Sequence, residues 1–223
     1  MTQSSALLAS IEAGVRQLGL EGHSGLVPQL ALFLQGLIKW NQAYNLTSIR
    51  DPQQMVYLHL MDSLAVVPYL AHWATKASAE PAATVLDVGS GAGLPGIPLA
   101  LCYPQIRFVL LDSNGKKTRF LQQMQIELGL FNVTVVQARA EDYQGVFDGV
   151  ICRAFASLAN IVSTTQHLLA ESGSLLAMKG KLEEDLPATD LSITEVHSLQ
   201  VPGVEAERHL YVLGRHTNHQ RGS

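Results

Sequence analysis

A short stretch near the middle of the chain holds the residues whose spacing points to chemistry. Asp87 closes the apolar run Val85-Leu86, and Gly89, Gly91, Gly93 and Gly96 follow in quick succession. Glycine lets a backbone take turns closed to other residues and approach a ligand that any Cβ would obstruct. A strand feeding a helix through such a turn is the nucleotide-binding corner of a doubly wound sheet. Pro95 suits the first helical turn, where its missing N–H costs nothing. Two ligand classes use that corner. Gly91-x-Gly93-x-x-Gly96 fits a dinucleotide fingerprint, in which a pyrophosphate meets the turn. Asp87 argues for another nucleoside, since a carboxylate so close repels a pyrophosphate but not a sulfonium or an amino group. Asp112 ends the next apolar run, Phe108-Val109-Leu110-Leu111, about 20 residues past the glycines, where a ribose-binding acid belongs. It supports a nucleoside without choosing between the two.

Other polar residues carry a functional and a plain reading side by side. Arg153 leaves a strand at the ligand edge, where its planar fork can hold a carboxylate or a phosphate, or merely make a surface ion pair. His59 lies in an apolar helical run, which by itself suits a satisfied core histidine. Asn45 reads as a turn or cap residue, and Asp62-Ser63 as solvent-facing helix polarity. The cluster Lys116, Lys117 and Arg119 is a solvated helix face that can also meet phosphates. Trp40 and Tyr44, four apart, read as core rather than as a stacking platform. His209, His216 and His219 lack acidic or cysteine partners at metal spacing, so no metal is expected. Gly89-Ser90-Gly91 forms no nucleophile elbow, because a glycine directly follows the serine.

These residues need a scaffold, and the patterning supplies one. Leu7, Leu8, Ile11, Val15 and Leu18 predict a helix over 4–18, with Gly19 as its stop. A second helix is expected from Pro28 to Tyr44. Asp51-Pro52 reads as an N-cap and first helical residue before a third helix over 55–70, and 72–83 as a linker. From Ala83 the pattern alternates as α/β units do. Strands are predicted at 84–88, 107–111, 132–136, 147–151 and 173–178, and helices at 94–102, 114–129 and 157–170. Runs 193–199 and 209–214 predict an antiparallel edge on a mostly parallel sheet. The expected organisation is an N-terminal helical segment and linker over 1–80, an α/β Rossmann-like core over 81–216 and a polar tail over 217–223.

Composition narrows the class. The chain has 223 residues, a formal net charge of −4 and no apolar run near the roughly 18 residues of a membrane span. Met1 to Gln17 shows no secretory pattern, and Cys102 and Cys152 read as reduced thiols, so a cytoplasmic protein is expected, most simply a monomer. An acidic chain needs a local patch to meet nucleic acid. Arg107, Lys116, Lys117, Arg119, Arg139, Arg153, Lys179 and Lys181 supply its candidates, bounded by Glu183, Glu184 and Asp185.

Asp87-x-Gly89-x-Gly91 also resembles the cofactor loop of S-adenosylmethionine-dependent methyltransferases. The likeness becomes specific when motifs are taken in order: Trp40-Asn41-x-x-Tyr44-Asn45-Leu46-Thr47, His59-x-x-Asp62-Ser63, the loop from Asp87 to Gly96, Leu111-Asp112-Ser113, Lys116-Lys117-x-x-Phe120-Leu121, Arg153-Ala154-Phe155-Ala156 and Lys179-Gly180. Together they resemble the small-subunit ribosomal RNA guanine-N7 methyltransferases, the glucose-inhibited division protein B family. The resemblance implies a Rossmann-like fold, S-adenosylmethionine as cofactor, and a guanine in the decoding-site loop of 16S ribosomal RNA as substrate, within the small ribosomal subunit. By position it implies cofactor contacts at Asp87, Gly89, Gly91, Leu94, Asp112, Ala140, Glu141 and Arg153. Asn45, His59, Asp62 and Ser63 become positioning candidates, and Lys116, Lys117, Arg139 and Lys179 face RNA. Leu58 departs from the pattern, since a basic residue often precedes the family's histidine. Arg153-Ala154-Phe155-Ala156 stands where amino-methylating enzymes carry Asn/Asp-Pro-Pro-aromatic, and Cys152 lacks the adjacent proline of carbon-five enzymes. A small NAD(P)-dependent oxidoreductase and a non-catalytic nucleoside- or RNA-binding module are the alternatives.

Overall fold

Apolar runs and helical stretches alternate to build a seven-stranded sheet in the computed structural model, which describes residues 3–76, 82–153, 157–182 and 189–215. Ala154 to Ala156, the acidic run Glu183-Glu184-Asp185, His216, His219 and the tail over 217–223 lie outside the described residues. The strands are β1 (Thr84–Val88), β2 (Arg107–Asp112), β3 (Val133–Gln137), β4 (Phe147–Arg153), β5 (Leu169–Lys179), β6 (Leu191–Ser198) and β7 (His209–Arg215). Their order is β3-β2-β1-β4-β5-β7-β6. The first five pair in parallel, and β7 pairs antiparallel with both β5 and β6. The expected antiparallel edge is therefore present. Strand order reverses between β1 and β4, which opens a crevice at their carboxyl ends.

Helices α1 (Gln3–Gln17) and α2 (Leu26–Tyr44) share a core with this sheet rather than standing apart. Ile11, Phe33 and Leu37 belong to the same apolar cluster as Phe108, Leu110 and Phe120, so helical segment and sheet share one core. Trp40 joins it through Phe120, at 5.7 Å between ring centroids, while Tyr44 stays partly exposed.

The third predicted helix is corrected. Asp51 caps α3 (Pro52–Met55) by accepting from the N–H groups of Gln53 and Gln54. The chain then widens into a π segment over Val56–Met61, returns to α4 (Asp62–Leu64), and ends in a 3-10 turn over Val67–Leu70. Pro68 explains the break, since it lacks the N–H that would continue the ladder and crowds the carbonyl four residues back. The first half of the expected linker is helical, as α5 (Ala71–Lys76). Its Trp73 is buried against Gly149, where a Cβ would fall 2.4 Å from the indole ring.

In the core, α6 (Gly96–Cys102) begins two residues later than predicted, because the glycine turn occupies the preceding positions. Helix α7 spans Gly115–Glu127. Helix α8 (Leu158–Thr165) stops early, and a 3-10 turn delivers the chain to β5, which starts at Leu169 rather than 173 and passes an irregularity opposite Phe147 and Gly149.

Candidate functional site

The glycine turn is fixed from two sides by carboxylates. Gly89, Gly91 and Gly93 all have positive φ, at 69°, 57° and 81°, a region that side chains disfavour. Asp87 Oδ2 accepts the Gly96 N–H at 2.9 Å, which anchors the first residue of α6. A Cβ on Gly96 would come within 2.6 Å of that oxygen and 2.3 Å of Leu110. Asp112 Oδ2 accepts the Gly91 N–H at 2.9 Å, and its Oδ1 accepts the Asn114 N–H at 2.8 Å. Lys117 Nζ stands 3.7 Å from Asp112.

Asp87 is not the open charge that its spacing suggested. It is 1% exposed, and burial pushes its carboxyl up to about 7, with the Gly96 N–H pulling the other way. Both faces of β1 are covered here, so the side chain turns inward. Its Oδ1 is buried and accepts no hydrogen bond from the described residues.

Beside this turn lies a cavity of about 300 Å³ lined by Gly89, Asp112, Lys117, Arg139, Ala140 and Glu141 among others. Six predicted residues thus meet at the carboxyl ends of β1, β2 and β3. Gly91 borders the same turn, where a Cβ would make only ordinary contacts, 3.7 Å from the Gly89 carbonyl and 3.9 Å from Lys117 Nζ. Leu94 does not line the cavity; its side chain is buried in the core.

A second cavity, of about 350 Å³, lies at the carboxyl ends of β4 and β5 and is lined by His59, Asp62, Arg153, Lys179, Arg208 and His209 among others. Asp62 is its centre. Arg153 Nη1 donates to Asp62 Oδ2 at 3.0 Å, and Arg208 Nε donates to Oδ1 at 2.8 Å. One carboxylate faces two guanidiniums, so the lining carries net positive charge suited to phosphate or carboxylate groups. His59 Nε2 lies 2.9 Å from Thr47 Oγ1, and its Nδ1 lies 3.1 Å from the Leu58 carbonyl. Burial, and next the Arg153 charge, hold its pKa down to about 4, so the ring is neutral near pH 7.

Other predicted residues fall outside the two linings. Asn45 is exposed at the left-handed end of α2, where its side-chain oxygen accepts from Arg50. The buried Asn41 holds that loop by donating to the Ile49 carbonyl and accepting from the Thr47 N–H. Ser63 is fully buried and its hydroxyl has no partner among the described residues, so it faces neither cavity. Lys116 is exposed on the first turn of α7. Arg107 starts β2 and so stands at the opposite end of the sheet from the other cations. Burial pushes the Cys152 thiol up to about 12, which leaves it un-ionised and inert near pH 7. No cluster of metal-ligating side chains occurs among the described residues.

Arg208 and Thr47 were missed as site residues. Thr47 stood inside a quoted motif. Arg208 lies 146 residues from its partner Asp62, and only the antiparallel return of β7 onto β5 brings the two together.

Residues 26–211 match the family described as GidB: rRNA small subunit methyltransferase G. The ribosomal RNA small subunit methyltransferase G of Marinomonas sp. (strain MWYL1) is 46% identical over 211 residues, covering 92% of this chain and 97% of that relative. Its counterpart in Ectopseudomonas mendocina (strain ymp) is 49% identical over 208 residues, covering 91% and 93%. Among solved structures, magnesium protoporphyrin IX methyltransferase (ChlM) from Synechocystis PCC 6803 matches with a TM-score of 0.57 at 15% identity, covering 82% of this chain and 97% of that one. TrmN from Thermus thermophilus gives 0.52 at 18% identity, covering 69% and 49%. At such low identity the solved structures establish the Rossmann-like fold alone. Matched over most of its length by one family and by relatives nearly half identical, the chain belongs to the rRNA small subunit methyltransferase G family.

Proposed function

We propose that this protein transfers a methyl group from S-adenosylmethionine to N7 of a guanine in the decoding-site loop of 16S ribosomal RNA. The observation that carries the reading is the pair of cavities flanking the β1–β4 crevice. One is lined by a glycine turn and the acid Asp112, the other by cations gathered around Asp62. That is a nucleoside site beside a site for an anionic polymer, on a fold shared with methyltransferases.

The residues present fit the cofactor. A cavity of about 300 Å³ lies within the range of small-molecule sites. Asp112 already receives N–H donors and stands where ribose hydroxyls would arrive, with Lys117 Nζ 3.7 Å away. Asp87 Oδ1, buried and without a donor, is an acceptor available to a cationic or N–H group at the turn. When bound, S-adenosylmethionine supplies a methyl group on a sulfonium, which departs as a neutral thioether. Gly89, Gly91, Asp112, Ala140 and Glu141 would hold the nucleoside. Leu94 supports the turn from the core.

Guanine N7 offers a lone pair and carries no proton, so the chain has no proton to remove. Its task is to hold two reactants in line, which can lower a barrier by about 7–11 kcal/mol in well-oriented systems. The neutral His59 and the paired Asp62 accordingly position and wall the base. Arg153, Arg208 and Lys179 would meet backbone phosphates or the cofactor's carboxylate, while Lys116 and Arg139 extend the cationic surface along the RNA. The target guanine must lie in an open loop or leave its stack. The favoured substrate is the small subunit, with the enzyme acting as a cytoplasmic monomer.

The test is labelled methyl transfer to naked 16S RNA and to small subunits from cells lacking the enzyme, with the modified nucleotide mapped. The expected product is one 7-methylguanosine in the decoding-site loop. A methyl on an exocyclic amine, on a ring carbon or in the large subunit would overturn the reading.

A further inference from the structure

The π segment over Val56–Met61 has a consequence for the cation cluster. In an α-helix the Asp62 N–H would close on the Leu58 carbonyl, four residues back. Here it bonds to the carbonyls of Tyr57 and His59 instead. The Leu58 carbonyl, which the Asp62 N–H passes over, lies within reach of two side-chain nitrogens. Arg153 Nη1 reaches it at 3.1 Å, and His59 Nδ1 at 3.1 Å. A carbonyl oxygen has two lone pairs and can receive both.

We propose that this π turn is a positioning device for the cavity at the ends of β4 and β5. By releasing the Leu58 carbonyl, it clamps Arg153 between a main-chain acceptor and the Asp62 carboxylate, and it sets His59 in a single tautomer. The Arg153 clamp has two points, both through Nη1, which fixes the plane of the guanidinium as well as its place. With Nδ1 donating to Leu58, His59 Nε2 carries the lone pair and receives the Thr47 hydroxyl proton. Thr47 Oγ1 in turn accepts the Ile49 N–H at 3.2 Å. One irregular turn thus ties together the end of β4 and the loop that carries Asn45. The charged and titratable groups around the His59 ring are Arg153 and Asp62, with Lys179, Arg208 and His209 farther along the same lining. π turns recur at functional sites, where an added residue redirects a carbonyl.

The kinetic consequence rests on the methyl-transfer reading; the geometry does not. Deleting Leu58 brings Tyr57 to four residues before Asp62. The existing Asp62-to-Tyr57 bond then becomes an ordinary α-helical one, with no spare carbonyl. In an otherwise unchanged enzyme this deletion is expected to slow single-turnover methyl transfer of order a hundredfold. In an Arg153→Ala background it should add no more than about twofold, because the clamp is already gone. Equal losses in both backgrounds would overturn the proposal.

A second measurement needs neither a folded deletion variant nor a substrate. Nitrogen-15 NMR of the imidazole in the free protein should show His59 protonated on Nδ1 alone at neutral pH. Its titration point should rise in Arg153→Ala, which removes a neighbouring positive charge. An Nε2–H tautomer, or a titration indifferent to Arg153, would overturn the proposal. Absence of methyl transfer by wild-type enzyme, with the Nδ1–H tautomer observed, would count against the functional reading and leave the π-turn geometry standing.

Discussion

Asp62 is the residue on which the cation cluster depends, since among the described residues it alone neutralises Arg153 and Arg208 within hydrogen-bond distance. Replacing it by alanine leaves two partly buried guanidiniums facing each other. Asp62→Ala should lower stability by about 2–3 kcal/mol and reduce methyl transfer more than cofactor affinity. Urea unfolding and calorimetry with S-adenosylhomocysteine separate the two effects. A second residue-scale prediction concerns pH. Asp87 rises from 3.8 to about 7 in the fold, so the folded state keeps a proton that the unfolded chain releases, and stability falls as pH climbs through that window. His59 is lowered from 6.5 to about 4, so its contribution is present above the unfolded value and is lost as pH falls toward 4. The slopes oppose each other in the wild type. Asp87→Asn should therefore make stability rise more steeply between about pH 4.5 and 6.5, and His59→Gln should tilt it the other way. Unfolding midpoints across that window decide it; parallel curves for all three proteins would contradict the burial assigned to these groups. Residue types and spacing were legible for Asp112 and Glu141. The inward turn of Asp87 was not, because a strand covered on both faces gives no alternation to read. Arg208 was illegible for another reason, since its role depends on a contact made only after the chain returns.

At the scale of elements, the glycine turn separates two kinds of glycine. Gly91 has room for a Cβ and is required for its backbone angle, whereas Gly96 has no room at all. Gly91→Ala should cost about 1–2 kcal/mol through strain at positive φ. Gly96→Ala should cost about 2–4 kcal/mol, through overpacking against Leu110 and loss of the Asp87 bond. Thermal melts with S-adenosylhomocysteine should show a ligand-induced rise in wild type and little or none in Gly96→Ala, with NADH inert throughout. Strand and helix periodicity made β1, β2, β4 and α7 readable to within a residue or two. The run after Asp51 was not, because apolar spacing cannot distinguish 3.6 residues per turn from the wider π turn that holds His59 and Asp62 together. Its long-range partner Arg153 lies at the end of β4, which the local sequence does not contain.

Across the whole molecule, an acidic chain places several of its cations near the carboxyl ends of its strands. Lys116, Arg119, Arg139 and Lys181 are exposed, while Lys117 is drawn in beside Asp112. The two adjacent lysines should therefore behave differently. Lys116→Ala should flatten the salt dependence of RNA binding by about one phosphate contact and leave cofactor affinity unchanged. Lys117→Ala should weaken S-adenosylhomocysteine binding. Fluorescence titrations from about 50 to 200 mM salt would show the first, calorimetry the second, and identical behaviour would contradict the division between the two surfaces. The central claim is that the site acts by positioning a proton-free acceptor. The most direct test is the pH profile of single-turnover methyl transfer, with RNA bound and cofactor saturating. A neutral His59 and an acceptor without a proton predict a rate nearly flat from about pH 6.5 to 9. A rate climbing tenfold per pH unit over that range would show that a proton must leave in the rate-determining step, and would contradict the account.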